Sequence, residues 1–347
     1  MSWLISFRKE RSVKILVLGG SVLVGRHIVE AALAAGHEVT LFNRGRTHVE
    51  LFPEVEKLRG DRDSRVGEGL TALRGRRWDA VIDVNGYVPR IVRDSAELLA
   101  EAVDHYVYVS TISVYGSPLP PHSAETAPLE TMDDPTSEDV PAHYGALKAL
   151  CERAAEDALP GRTLSLRLGL VSGAHDPTDR VTYWVWRMAQ GGEIFAPASP
   201  ESPFQTIDAR DIADFTLLAL RRRVTGVMNI VGPTVSWATW MDACRTVSQS
   251  DAAVAWVDDP AFLEAEHPAE PRQYGAYPMF VPPEAGSWWT VSSSKAQAVG
   301  LTHRPVEETV RAVYEWLAVR PADLPWKAGL TPEQERALLE KWHAHGT

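Results

Sequence analysis

Two side chains set the chemistry this chain can do. Tyr144-Gly145-Ala146-Leu147-Lys148 puts a phenol and an ammonium four residues apart, which on a helix is one turn and one face. A cation beside a phenol favours the phenolate and draws its pKa toward neutrality, so Tyr144 becomes a usable general acid and base. Thirty-three residues upstream, Thr111 follows the apolar run His105 to Ser110. A hydroxyl at the end of such a strand can hydrogen-bond a substrate carbonyl. Tyr144, Lys148 and Thr111 together suit proton transfer at the oxygen of an alcohol or ketone. The spacing alone is weak; its place, opening the helix after a fifth strand, gives it weight.

The elements that must hold these groups begin at Val13 to Gly25, VKILVLGGSVLVG. Val13 to Leu18 is mostly apolar and predicts a parallel strand buried on both faces. Gly19 and Gly20 follow at once, and a helix over Val24 to Ala35 carries Ile28, Val29, Ala32 and Leu33 at helical spacing, with Gly36 as its C-cap signal. Strand, glycine turn and helix N-terminus make a phosphate cradle from Gly19, Gly20, Ser21, Leu23, Val24 and Gly25. The next strand, Val39 to Phe42, ends in Asn43-Arg44-Gly45-Arg46 with no carboxylate at its tip. A carboxylate there would meet a ribose 2′-OH, whereas arginine accommodates a 2′-phosphate. Asn43, Arg44 and Arg46 therefore predict NADP(H), with NAD(H) as the alternative, and Asp61 of Gly60-Asp61-Arg62-Asp63 is placed against the adenine.

Further strands over Trp78 to Val84, His105 to Ser110, Leu164 to Leu168 and Val227 to Val231, with a short one over Phe204 to Ile207, alternate with helices at Ala96 to Val103, His143 to Ala158 and from Asp208 to Leu220. That alternation predicts an α/β fold with a doubly wound parallel sheet. Asp83, inside a buried strand, requires a partner. Val84, Asn85 and Gly86 end that strand beside the cofactor, and Tyr87, Ser113 and Tyr115 stand toward the substrate. Ser117 to Pro141 is polar, proline-containing and aperiodic, a long functional loop. Residues 13–172, with 204–232 returning to them, form the expected dinucleotide-binding domain behind a tail over 1–12. Residues 173–203 and 233–347 form a smaller C-terminal α/β substrate lobe rich in packing tryptophans, ending in a helix capped by Thr331 with Pro332 behind it.

The chain has 347 residues, is 45% apolar and carries a formal net charge of −11. That balance argues against a nucleic-acid partner and against an anionic membrane surface. Cys151 and Cys244 are far apart and read as free buried thiols of a cytoplasmic protein. The opening MSWLISFRKERS is the reverse of a secretory signal, no run reaches membrane-spanning length, and no His/Cys/Glu cluster has metal-ligand spacing.

The chain resembles the short-chain dehydrogenase/reductase superfamily in its extended, NAD-dependent epimerase/dehydratase-like branch. The matching stretches are GGSVLVG at 19–25, GDRD at 60–63, VSTISVYG at 109–116, YGALK at 144–148, QTIDARDIA at 205–213, SSSKAQAVGL at 292–301 and RPVEETV at 304–310. The resemblance implies Tyr144 as acid/base, Lys148 on the nicotinamide ribose and Thr111 in the place of the catalytic Ser or Thr. Two residues depart from the pattern. Val22 stands at the central glycine of the turn, as in an atypical subgroup that includes chloroplast RNA-binding relatives, and the acidic charge argues against inheriting RNA binding. Leu170 replaces the Asn that holds the diphosphate of nucleotide sugars, which favours a smaller or less charged substrate. His175 and Arg180 are further substrate candidates. The expected activity is an NADP(H)-dependent oxidoreductase acting on a small carbonyl or alcohol. The alternatives are a sugar or sugar-nucleotide epimerase/dehydratase with recycled cofactor and a non-catalytic dinucleotide-binding protein. A homodimer through the helices after the fourth and fifth strands is expected by analogy alone.

Overall fold

The computed structural model describes residues 12–345; all of the tail predicted over 1–12 except Ser12 lies outside the described residues. Seven strands form the central sheet: β1 (Lys14–Leu18), β2 (Glu38–Asn43), β3 (Glu56–Arg59), β4 (Ala80–Asp83), β5 (His105–Thr111), β6 (Thr163–Leu168) and β7 (Gly226–Ile230). They are all parallel, in the order β7-β6-β5-β4-β1-β2-β3. Alternation along β1 feeds two cores. Ile15 and Val17 pack toward α1 (Leu23–Ala34), and Leu16 and Leu18 face the opposite core with Val92, Ala96 and Cys151. The second core lies under α2 (Pro89–Leu99) and α3 (Val140–Ala158). Chain order reverses between β1 and β4, which opens a crevice at their carboxyl ends.

The smaller lobe packs α4 (Thr182–Ala189) and α6 (Trp237–Ser248) against each other, with α7 (Val306–Leu317) and α8 (Pro332–His345) beside them; α5 (Ala209–Arg222) belongs to the sheet, packed on α1. Trp184, Trp237, Trp240 and Phe204 fill the lobe's centre, all 2% exposed or less. Phe204 stacks on Trp240 with centroids 4.7 Å apart and meets Trp237 edge-on. Thr331 and Gln334 cap α8 reciprocally, side chain to backbone in both directions.

Three elements differ from the sequence reading. The helix expected over Ala96 to Val103 runs over Pro89–Leu99, started by Pro89 at its first turn. β3 was not expected, since Glu56–Arg59 holds one apolar residue and sits half-exposed at the sheet edge. Phe204 to Ile207 is not one strand. Pro203–Gln205 pairs antiparallel with Thr234–Ser236 in the lobe, while Ile207–Asp208 pairs with Val171–Ser172, so the chain returns toward the sheet at Ile207. Both cysteines are buried and free. Among the described residues no helix is long and apolar enough to cross a membrane, and no group of three His, Cys, Asp or Glu is placed to hold a metal.

Candidate active site

The crevice at the β1–β4 reversal is a cavity of about 580 Å³. Its floor is the glycine turn. Gly19 and Gly20 have φ of +113° and +90°, a region that side chains rarely adopt. A Cβ on Gly25 would stand 2.9 Å from the Gly20 Cα, so α1 approaches the turn as closely as backbones can. The first turn of α1 has no side-chain cap and no acidic residue. Its amides and the positive end of its dipole therefore face the cavity with no anion of the protein's own. Val22, Leu23 and Val24 line the same wall, and Val22 is 41% exposed.

At the far end the cavity is bounded by Asn43, Arg44, Arg46, Asp61, Arg62 and Asp63. Asn43 staples two turns together: Nδ2 donates to the Gly19 carbonyl at 3.1 Å, while Oδ1 accepts from the Gly45 amide and from Arg59. Arg44 and Arg46 are exposed and have no ion-pair partner among the described residues. Asp61 accepts from the Asp63 amide in a tight turn. Asp83 is fully buried and bonded by the Arg62 guanidinium through two nitrogens and by the Tyr106 hydroxyl at 2.7 Å. Arg62 is thus the partner that the buried strand carboxylate required.

Beyond the Tyr87 end of the cavity lie the residues expected to transfer the proton. Gly145 has no room for a side chain, since a Cβ would sit 2.0 Å from the Ser113 carbonyl oxygen. That close approach seats α3 on the segment after β5. His143 leaves helical geometry immediately before Tyr144, so the regular helix begins at the tyrosine. Tyr144 is 38% exposed and faces Tyr87 with ring centroids 6.4 Å apart. Thr111 Oγ1 accepts from the Ser113 amide at 3.1 Å and donates to Ser113 Oγ at 3.2 Å.

The expected effect of Lys148 on Tyr144 is not what the geometry gives. The Lys148 ammonium is buried and donates to the Gly86 and Val109 carbonyls at 2.8 and 2.7 Å, above the Tyr108 ring. Desolvation pulls its pKa down to about 8. Desolvation pushes the Tyr144 phenol above the ordinary tyrosine value, Tyr87 adds to this, and the influences that favour ionisation are Thr111 and Arg180. Two main-chain bonds leave Lys148 one donor for a ligand.

Other predicted residues divide clearly. Ser21, Val84 and Asn85 line the cavity with Tyr87, whereas Gly86 lies behind the wall, its carbonyl taken by Lys148 and Tyr108. Tyr115 is placed elsewhere. It is 1% exposed and its hydroxyl donates to Asn229 Oδ1 at 2.5 Å and accepts from Arg167, so it packs beneath the long loop and faces no ligand. His175 lies edge-on to Trp316 with centroids 5.5 Å apart, and burial with the charge of Arg26 lowers its pKa to about 4, so it is a neutral ring turned toward α1. Arg180 lies at the phenol cluster, over the ring of Tyr274. Tyr274 has no sequence signal, because it sits in an aperiodic loop of the lobe.

A family model described as the NAD dependent epimerase/dehydratase family matches residues 15–231, the span from β1 through β7. The chain belongs to that family. Solved structures agree with that membership in fold. The UDP-Glc/GlcNAc 4-epimerase of Campylobacter jejuni superposes at a TM-score of 0.64 with 19% identity, covering 89% of this chain and all of that one. The Bordetella bronchiseptica enzyme WbmG, solved in complex with NAD, gives 0.66 with 18% identity over 90% and 96% of the two chains. In sequence, the chain is 29% identical over 128 residues to the chloroplast stem-loop binding protein of 41 kDa b of Arabidopsis thaliana; the match covers 33% of each, so the chain spans about a third of that relative's length. Among members of the epimerase/dehydratase family, this one has Val22 in its glycine turn and Leu170 packed against the lobe core.

Proposed function

We propose that this protein oxidises a secondary alcohol, or reduces the matching ketone, with a nicotinamide dinucleotide, NADP(H) in preference to NAD(H). The observation that carries the reading is a crevice with an uncapped helix terminus and glycine turn at its centre, and with Tyr144 beside Tyr87 at its edge. The residues fit the cofactor: the amides of α1 and the turn at 19–25 would hold the pyrophosphate, Arg44 and Arg46 a 2′-phosphate, and Lys148 the nicotinamide ribose. When bound, the dinucleotide supplies hydride exchange at one carbon. In the oxidative direction Thr111 would hold the substrate hydroxyl and Tyr144 would take its proton; in the reductive direction Tyr144 would return a proton to the carbonyl oxygen. The chain's part is orientation and electrostatics.

A second reading, an epimerase or dehydratase that recycles its cofactor, shares this first half-reaction and is favoured by the family match and by the 4-epimerases among the structural neighbours. Deuterium at the reacting carbon separates the two. Stoichiometric NADP(H) turnover supports the oxidoreductase, and label retention without net cofactor change supports the second. Tyr144→Phe lowers either activity by about 10²- to 10⁴-fold; an unchanged rate refutes both. Arg44→Asp is expected to weaken NADPH binding about tenfold or more while sparing NADH.

A further inference from the structure

The Lys148 ammonium lies between two tyrosine rings. Its Nζ stands 4.3 Å from the centre of the Tyr108 ring and 5.3 Å from that of Tyr87, close enough for both π faces to attract the cation. The Gly86 and Val109 carbonyls take two of its three hydrogens. Asp83, Arg62, Glu152 and Cys151 are the other charged and titratable groups that act on it. The two rings are not equivalent. Tyr108 is buried, and its hydroxyl is fixed on the Gly86 carbonyl at 2.8 Å. Tyr87 belongs to the wall of the 580 Å³ cavity and is 44% exposed, and its hydroxyl makes no hydrogen bond among the described residues. Lys148 is 3% exposed and has no place in that wall. Tyr87 thus spans from the cavity to the ammonium, and its ring also lies 6.4 Å from that of Tyr144.

We propose that Tyr87 is a positioning residue acting through Lys148: its ring covers the ammonium on the cavity side, keeps water from it and reserves the third N–H for a ligand. This rests on the proposed function above, which gives that hydrogen to the nicotinamide ribose. A phenyl ring suffices, because the π face and its bulk do the covering and the hydroxyl has no partner. Without the ring, water solvates the ammonium, keeps it protonated to higher pH and competes for the third hydrogen.

The test is competitive labelling of the seven lysines of the full-length protein, without nucleotide, by trace fluorodinitrobenzene from about pH 7 to pH 11. Peptide mass spectrometry gives each lysine a titration midpoint and a limiting rate, with exposed Lys14 as the reference. Wild-type Lys148 is expected to titrate near pH 8 and, once deprotonated, to react about tenfold or more slowly than Lys14. Tyr87→Ala is expected to move the midpoint up toward 10.5 and to raise the limiting rate about tenfold, while Tyr87→Phe matches wild type. An unchanged midpoint and rate in Tyr87→Ala, or a Tyr87→Phe that behaves like it, overturns the proposal. Lys295, which donates to the Val227 carbonyl at 2.7 Å, reports the fold. If Tyr87→Ala speeds its labelling as well, Tyr87→Leu decides, since it keeps apolar bulk and removes the π face. A Lys148 midpoint that then stays at the wild-type value overturns the proposal. Labelling needs no cofactor, so the two readings fail separately. If NADPH does not bind and Tyr87→Ala still releases Lys148, the proposed function fails and the Tyr87 cover stands.

Discussion

Lys148 shows what a residue pattern can and cannot say. Its spacing to Tyr144 was legible, but where its ammonium points depends on which carbonyls the fold brings near. The Gly86 and Val109 carbonyls come from segments far apart in sequence. Burial lowers the Lys148 pKa from 10.5 to about 8, so folding favours the neutral amine. Between pH 8 and 10.5 the unfolded chain keeps a proton that the folded chain has released, and this residue makes stability rise with pH across that window, by about 3 kcal/mol. Below pH 8 both states hold the proton and the cost of burying the charge is complete. Lys148→Met removes the titration. Urea unfolding of both proteins should show wild type gaining about 3 kcal/mol on the variant between pH 8 and 10.5; a difference flat with pH would contradict the buried cation. The Asp83–Arg62 pair is the opposite case. A carboxylate inside a buried strand announced its need for a partner, and the neighbouring motif supplied one.

At the level of elements, the strands of the sheet were legible because burial on both faces leaves continuous apolar runs. β3 was not, since an edge strand needs no such run, and its pairing is decided by β2 alone. The split of Phe204 to Ile207 between two small sheets was equally hidden. One residue, Thr206, turns the chain between the lobe and the sheet and donates its hydroxyl to the Leu170 carbonyl at 2.9 Å. The docking of α3 is the contact on which the proposed chemistry depends, and Gly145 permits it. Gly145→Ala places a methyl against the Ser113 carbonyl and the Glu130 side chain. The helix must withdraw, at a cost of about 1–3 kcal/mol in stability and with Tyr144 carried away from Thr111. The expected result is a lower unfolding midpoint together with a loss of turnover larger than the loss of cofactor affinity. A variant with wild-type turnover would show that the close approach is dispensable.

At the level of the whole molecule, topology makes the site. The reversal of strand order between β1 and β4 opens the crevice, the carboxyl ends of β2 and β4 deliver its lining, and the lobe pairs Arg180 with Tyr274. The first two parts follow from strand–helix alternation and were readable. A smaller lobe was expected, but which of its residues face the sheet was not readable, because its tryptophans report burial and not direction; Trp184, Trp237 and Trp240 hold the lobe's centre, and Tyr274 comes from an aperiodic loop. Those tryptophans also give the measurement that bears most directly on the central claim, titration of the purified protein with NADPH and NADH followed by tryptophan fluorescence. Saturable quenching by the dinucleotides, with NADPH the tighter, is the predicted result. Absence of quenching by either, with no nucleotide carried through purification, would contradict the account at its root.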